Sequence, residues 1–384
     1  MLDISLAPVI VVAPDSFKGS LSASEVARAI TGGILEALPH AVVRLCSMAD
    51  GGEGTLDAMI NGGGRRITHT VRGACGHEQA IDIGITLDGS AVIETAAIVG
   101  LTDPVGTAIG VEERTTYGVG EAIRACLDLG IRRIFIALGG TSTNDGGAGM
   151  LAALGMTLLD QNGGAVEPTL NTLSKIKYAD LSNLDERLKE TTIIGMSDVD
   201  NPLVGERGAT AVFGRQKGIL VDRIQDHDFA LAHFADLVES ALGSSQRNAR
   251  GAGAAGGLGF ALLMMGGRLE SGAEIVAREI GLPAALENAE WLITGEGRSD
   301  RQTLSGKAPF VAAQFARAAN VPATLLSGSL DPESLPALTE HFAGCFSPAY
   351  GPITLESAIQ FAPVLLRQAA EQLARMRYGC RWPS

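Results

Sequence analysis

The chain has 384 residues, enough for two or three α/β-sized units. Acidic residues outnumber basic ones 43 to 30, the formal charge is −13 and aromatics make up only 4%; this excludes a nucleic-acid binder built on basic patches and stacking aromatics. Only six of the 30 basic residues are lysine (Lys18, Lys175, Lys177, Lys189, Lys217 and Lys307), while glycine fills 49 positions.

Met1 to Ala13 carries no basic lead, and its apolar run stops at Pro14-Asp15, so the sequence predicts no secretory signal. The strand-like run Pro8–Pro14 is followed by a polar loop and a helix capped by Ser22 or Ser24, with Val26, Ala27, Ile30, Ile34 and Leu38 on its apolar face. A strand at Val42–Cys46 and a helix opening at Thr55 come next, until Asn61-Gly-Gly-Gly64 breaks the pattern. From Arg66 to Leu101 the text alternates. It predicts hairpin-linked strands at Ile67–Val71, Ala80–Ile85 and Ala91–Thr95, with a turn at Asp88-Gly89. Helix Tyr117–Leu129, strand Ile134–Leu138, strand Thr192–Met196 and helix Asp226–Leu242 follow. The last hundred residues return to β-α alternation, with strands at Trp291–Thr294, Ala323–Leu326 and Gly344–Ser347 and helices at Pro309–Ala319 and Leu355–Arg375. Two βα units at the start and three at the end make one five-stranded parallel sheet. Residues 1–65 and 283–384 are therefore expected to form one discontinuous domain, and 66–282 an inserted α/β domain with mixed strands.

No apolar run reaches the ~18 residues of a membrane helix. Cys46, Cys75, Cys126, Cys345 and Cys380 lie at scattered spacings without a C-x-x-C pair. They predict reduced thiols, no zinc site and a cytoplasmic protein.

Polar, glycine-rich loops recur directly after strands: Asp15-Ser16-Phe17-Lys18-Gly19-Ser20, Asp50-Gly51-Gly52-Glu53-Gly54-Thr55, Gly139-Gly-Thr141-Ser142-Thr143-Asn144-Asp145-Gly-Gly147, Asp198-Val-Asp200, and Gly295-Glu296-Gly-Arg298-Ser-Asp300 leading to Ser305-Gly-Lys307. Ligands of open α/β sheets bind outside the carboxyl ends of strands, so these loops predict one active-site rim shared by two facing domains. Closely spaced glycines let backbone N–H groups approach a phosphate, and a helix beginning after the loop adds its own free N–H groups. Any single loop is equally readable as an ordinary tight turn; five with matching polar content are not. Lys18, Lys217 and Lys307 sit in or beside such loops and are candidate phosphate contacts. Asp50, Glu53, Asp145, Asp198, Asp200, Glu296 and Asp300 are the carboxylates from which a Mg²⁺ ligand and a hydroxyl-orienting base would come, although a cap or turn role competes for each. Asp198 and Asp200, at i and i+2 beyond a strand, are placed to face one ion. Gly251-Ala-Gly-Ala-Ala-Gly256 fits a dinucleotide pattern literally, but it follows a helix, and Ser305-Gly-Lys307-Ala308 lacks the rest of a P-loop.

The strings Ala13–Ser20, Met48–Thr55, Gly139–Ala148, Asp198–Leu203 and Thr294–Asp300, with Gln216-Lys-Gly218, Gly251–Gly259 and Ser305–Lys307 in order, resemble the bacterial type I glycerate kinases over nearly the whole chain. The resemblance implies a Rossmann/flavodoxin-like domain built from both chain ends and an inserted α/β domain. It also implies ATP-dependent phosphorylation of D-glycerate with Mg²⁺, tilted toward the 2-phosphate over the 3-phosphate. On that footing Lys18 and Lys307, with Arg298, are expected to hold phosphate or substrate carboxylate, and Asp198 or Asp200 the metal. Asp145 or Glu296 is expected to orient or deprotonate the hydroxyl. Asp15, Ser16, Asp50, Gly51, Gly52, Glu53, Thr141, Ser142, Asn144, Lys217, Asp300 and Ser305 complete the expected binding rim. A nicotinamide-dependent hydroxy-acid dehydrogenase would need a strand-led glycine fingerprint, and a solute-binding protein would not need these acid-and-lysine loops. Small-molecule substrates are the expected partners, with neither nucleic acid nor membrane.

Overall fold

The computed structural model describes residues 7–379; Cys380 and the first six residues of the lead-in fall outside them. The chain divides into two compact units, one from residues up to Asp50 together with Ala273 onward, the other Gly51–Gly272. These dividing points precede the expected 65/66 and 282/283. The reason at the first is packing: helix Thr55–Ile60 lies on strands Glu78–Ile85 and Ala91–Glu94, and Leu56 N–H donates to Glu94 Oε1 at 2.8 Å.

The first unit holds a five-stranded sheet in the order Gly344–Phe346, Ala323–Leu326, Trp291–Thr294, Val9–Val12, Val42–Leu45, parallel throughout. Its central strands are apolar on both faces, as a parallel sheet covered by helices requires. Val11, Ala13, Leu292 and Leu325 enter one core, and Ile10, Val12, Trp291 and Ile293 the other. Ser22 caps helix Ala23–Ala37 in a reciprocal capping box with Glu25. The predicted helix Leu355–Arg375 is two helices, Leu355–Gln360 and Ala362–Tyr378, because Pro363 belongs in a first turn and cannot continue the one before it.

The second unit is a mixed six-stranded sheet in the order Arg268–Glu270, Thr192–Met196, Arg133–Ala137, Ala91–Glu94, Glu78–Ile85, Arg65–Arg72. The last three strands pair antiparallel and the remainder parallel. Its core includes Ile83, Ile93, Ile134, Ile136, Phe234 and Phe260. A strand at Arg268–Glu270 and a ribbon of Thr157–Leu159 with Tyr178–Asp180 add to the predicted elements.

Candidate active site

In the first unit the loops after three parallel strands converge. Asp15 follows Val9–Val12, and its N–H donates to Gly295 O at 2.8 Å, the residue just past Trp291–Thr294. Its buried carboxylate accepts from Ser16 N–H at 2.6 Å. Burial first, and then the charges of Asp50 and Glu296, push the Asp15 carboxyl up to about 7, with Lys18 pulling the other way. Asp15, Asp50, Glu296 and Lys18 therefore form one electrostatic group.

Glu296 is buried and held on both oxygens. Oε1 accepts from Thr303 Oγ1 at 2.6 Å and Ser299 Oγ at 3.0 Å, and Oε2 faces Lys307 Nζ at 3.6 Å. Burial raises this carboxyl above its ordinary range, against the pull of those hydroxyls and the ammonium. Ser299 is itself set by Ser327, Oγ to Oγ 2.7 Å. Lys307 stands at the N-cap of helix Ala308–Ala318, so its ammonium is adjacent to the positive end of that helix. Asp300 caps the turn Arg301–Ser305, accepting from Gln302 N–H at 2.8 Å. Lys18, Arg298 and Ser305 are exposed, and Ser16 and Asp50 half-buried.

The second unit gathers a different set. Gly139 N–H donates to Gly51 O at 3.0 Å, and a Cβ on Gly139 would lie 2.7 Å from Gly52 Cα, so these two loops touch through backbone alone. Glu53 is exposed. Thr141, Ser142, Asn144 and Asp145 are all buried. Ser142 is tied to Val99 O by its N–H at 2.8 Å and its Oγ at 3.0 Å, and Asn144 Nδ2 donates to Thr210 Oγ1 at 2.9 Å. Asp145 has no exposed surface. Its oxygens accept from Thr116 N–H and Oγ1, both at 2.8 Å, Gly147 N–H at 3.0 Å and Gly149 N–H at 3.2 Å. Burial holds its carboxyl above the ordinary range despite these donors. Lys217 is also buried, with Nζ donating to Thr143 O at 2.6 Å; burial pushes the ammonium down to about 7, opposed by Asp145. Gly256 backs the loop, since a Cβ there would lie 2.1 Å from Thr143 O and its carbonyl accepts from Gly146 N–H at 2.9 Å. That packing occupies the Gly251–Gly256 segment.

Asp198 and Asp200 go to different partners: Asp198 accepts from Gly272 N–H at 3.2 Å, and Asp200 pairs with Arg207 at 3.1 Å. Both are exposed. Among the described residues, no three His, Cys, Asp or Glu side chains are grouped as a metal site. Mg²⁺ in phosphoryl transfer needs only one or two carboxylates beside phosphate and water, and Asp198 fits that donor chemistry.

The sequence reading did not single out Thr303, Ser299 and Ser327 behind Glu296, or Thr116, Thr210 and Arg114 behind the 141–145 loop. For Ser299 and Thr303 the available signal was hydroxyls closely following Glu296; Ser327 has none, being brought in from beyond strand Ala323–Leu326. The second set comes from remote segments with no local pattern.

The glycerate kinase family model matches residues 10–378. The chain belongs to the glycerate kinase family. It is an enzyme of that kind, a phosphotransferase with an alcohol acceptor. It is 42% identical over 373 residues to a glycerate kinase of Bacillus subtilis, covering 95% of this chain and 96% of the relative. It is 43% identical over 334 residues to the glycerate 2-kinase of Escherichia coli, covering 84% and 85%. The crystal structure of a putative glycerate kinase 2 from Salmonella typhimurium LT2 superposes with a TM-score of 0.86 at 41% identity, covering 97% of this chain and 98% of that one. The expected α/β fold is thereby borne out.

Proposed function

We propose that this enzyme transfers the γ-phosphoryl group of ATP to the C2 hydroxyl of D-glycerate, yielding 2-phospho-D-glycerate and ADP. The observation that carries the reading is the acid-and-lysine group of Asp15, Asp50, Glu296, Lys18 and Lys307 at the carboxyl ends of the first unit's strands. The family supports the kinase chemistry, and the name of the E. coli relative supports the C2 position.

Asp15 is the best-suited general base in the group. Its carboxyl, raised to about 7, is substantially ionised at neutral pH yet basic enough to take the hydroxyl proton as the oxygen attacks phosphorus and the β–γ bridging bond breaks. Lys307, fixed by Glu296 at a helix N-terminus, and exposed Lys18 are suited to oppose charge on phosphate or carboxylate oxygens. Glu296, with three partners already, serves by holding Lys307. Asp145 is saturated by four donors and serves as a brace for its loop. Asp198 would hold Mg²⁺, whose charge would offset that of the phosphates. Cytoplasmic residence is supported by free thiols at Cys46, Cys75, Cys126 and Cys345. No helix among the described residues is long and apolar enough to cross a membrane.

A coupled assay of ADP release with Mg·ATP should show turnover only when D-glycerate is added. Phosphorus NMR of the product should show the 2-phosphate. ADP release independent of D-glycerate would overturn the substrate, and a 3-phosphate signal would overturn the regiochemistry.

A further inference from the structure

Two buried cations of the second unit face a single stretch of backbone. Arg114 is 7% exposed, and its guanidinium is surrounded by carbonyls: Nη1 donates to Ser142 O at 3.2 Å and Lys217 O at 3.3 Å, Nε to Ile109 O at 3.1 Å, and Nη2 to Ile109 O at 2.9 Å and Thr107 O at 3.3 Å. Lys217 Nζ takes the next carbonyl, Thr143 O, at 2.6 Å. In a trans peptide the C=O of one residue and the N–H of the next point in opposite directions. Gripping Ser142 O and Thr143 O therefore turns the N–H groups of Thr143 and Asn144 away from the cations. Those two N–H groups and that of Asp145 donate to no acceptor among the described residues, although all three residues are 0% exposed. Buried backbone donors without partners are rare and costly, and successive N–H groups facing one way form an anion cradle. Thr143 Oγ1 and Asn144 Oδ1 are likewise buried without partners.

We infer that Arg114 and Lys217 are positioning residues, which never touch substrate but hold the Thr143–Asp145 N–H groups as a cradle for a substrate oxyanion. This rests on the kinase reading and assigns Lys217 a different job from the phosphate contact expected from its sequence position. Lys217 directs its Nζ at Thr143 O, and what that contact fixes is the set of N–H groups left for a ligand. The oxyanion is either a nucleotide phosphate or the glycerate carboxylate, and the two are separable by experiment.

The test uses the full chain with Arg114→Met, Arg114→Lys and Lys217→Met, and calorimetric binding of ATP, ADP and D-glycerate separately. The expected result is at least a tenfold loss of affinity for one substrate class and less than a twofold change for the other, in variants with native circular dichroism. Loss confined to ATP and ADP assigns the cradle to phosphate; loss confined to D-glycerate assigns it to carboxylate. Arg114→Lys, which keeps the charge without the fork, should recover only part of the affinity. Unchanged affinity for all three ligands in folded Met variants overturns the inference. Hydrogen exchange on the unmodified enzyme gives a readout independent of variant folding: saturation with one substrate should slow exchange at Thr143, Asn144 and Asp145 at least tenfold. Unchanged exchange with either substrate, in enzyme that still phosphorylates D-glycerate, overturns the cradle and leaves the kinase reading intact. Absence of glycerate-dependent turnover in the unmodified enzyme overturns the kinase reading itself.

Discussion

Replacing Asp15 with Asn probes the acid group of the first unit through stability and activity together. The carboxyl titrates near 3.8 in an unfolded chain and at about 7 in the fold, because burial, Asp50 and Glu296 disfavour its charge. A carboxyl raised by folding is most favourable to the fold below its unfolded value, and that contribution is lost as pH rises through the folded one. At 1.36 kcal/mol per pH unit, ionising Asp15 in place costs the fold about 4 kcal/mol above pH 7, of which about 3 kcal/mol accrues between pH 5 and pH 8. Asparagine carries no such charge. The variant should therefore gain stability over wild type as pH rises, the gap widening by about 3 kcal/mol from pH 5 to pH 8. Urea unfolding at the two pH values, followed by near-ultraviolet circular dichroism, to which the buried Trp291 contributes, measures that widening.

The same substitution should remove the base. Wild-type kcat/KM should climb with pH to a plateau above about 7, and Asp15→Asn should lose roughly 100- to 10,000-fold in turnover together with that limb. Stability and activity then move in opposite directions with pH through one carboxyl. A constant stability gap at pH 5 and pH 8, or a variant that keeps the acid limb, would refute the assignment.

Lys307→Met strips Glu296 of its cation at 3.6 Å and takes the positive charge from the helix N-cap. Steady-state kinetics should show about a 100-fold or larger loss in kcat, with Lys307→Arg intermediate, and a loss below threefold would exclude Lys307 from the charge-opposing role. Asp145→Asn places an amide donor among four donors aimed at a buried carboxylate, so chemical denaturation should show a loss of about 3 kcal/mol. Wild-type stability in that variant would mean the loop does not depend on this brace.

The sheets were legible because their strands are short apolar runs cut off by Gly and Asp. Trp291–Thr294 and Ala323–Leu326 need no more than that to be buried on both faces. Arg268–Glu270 was not legible. It is a three-residue edge strand with charged ends, held by its pairing with Thr192–Met196, and pairing leaves no periodicity in three residues. Loop positions were visible for the same reason the strands were, since each begins where an apolar run ends. The roles inside the loops were not. Asp145 and Glu296 read alike in sequence, but one is closed by four donors and the other keeps an ammonium at its second oxygen. Those differences come from Thr116, twenty-nine positions before Asp145, and from Thr303 and Lys307, which only the folded chain brings to bear.

The scarcity of lysine has a physical reading once burial is known. Arginine stays protonated in nearly any environment, whereas a lysine ammonium loses its charge readily when desolvated. Lys217, sealed against Thr143 O, is pushed down to about 7 by burial, with the charge of Asp145 opposing the shift. Arg114 beside it needs no such help, and its fork spans carbonyls of several segments where an ammonium would reach fewer. The two cations are therefore not interchangeable: the arginine fork ties Ser142 O to carbonyls of other segments, and the lysine holds the single carbonyl of Thr143. Lys18, by contrast, is exposed on the first unit. A chain with formal charge −13 thus buries two of its cations, Arg114 and Lys217, against the backbone carbonyls of one loop.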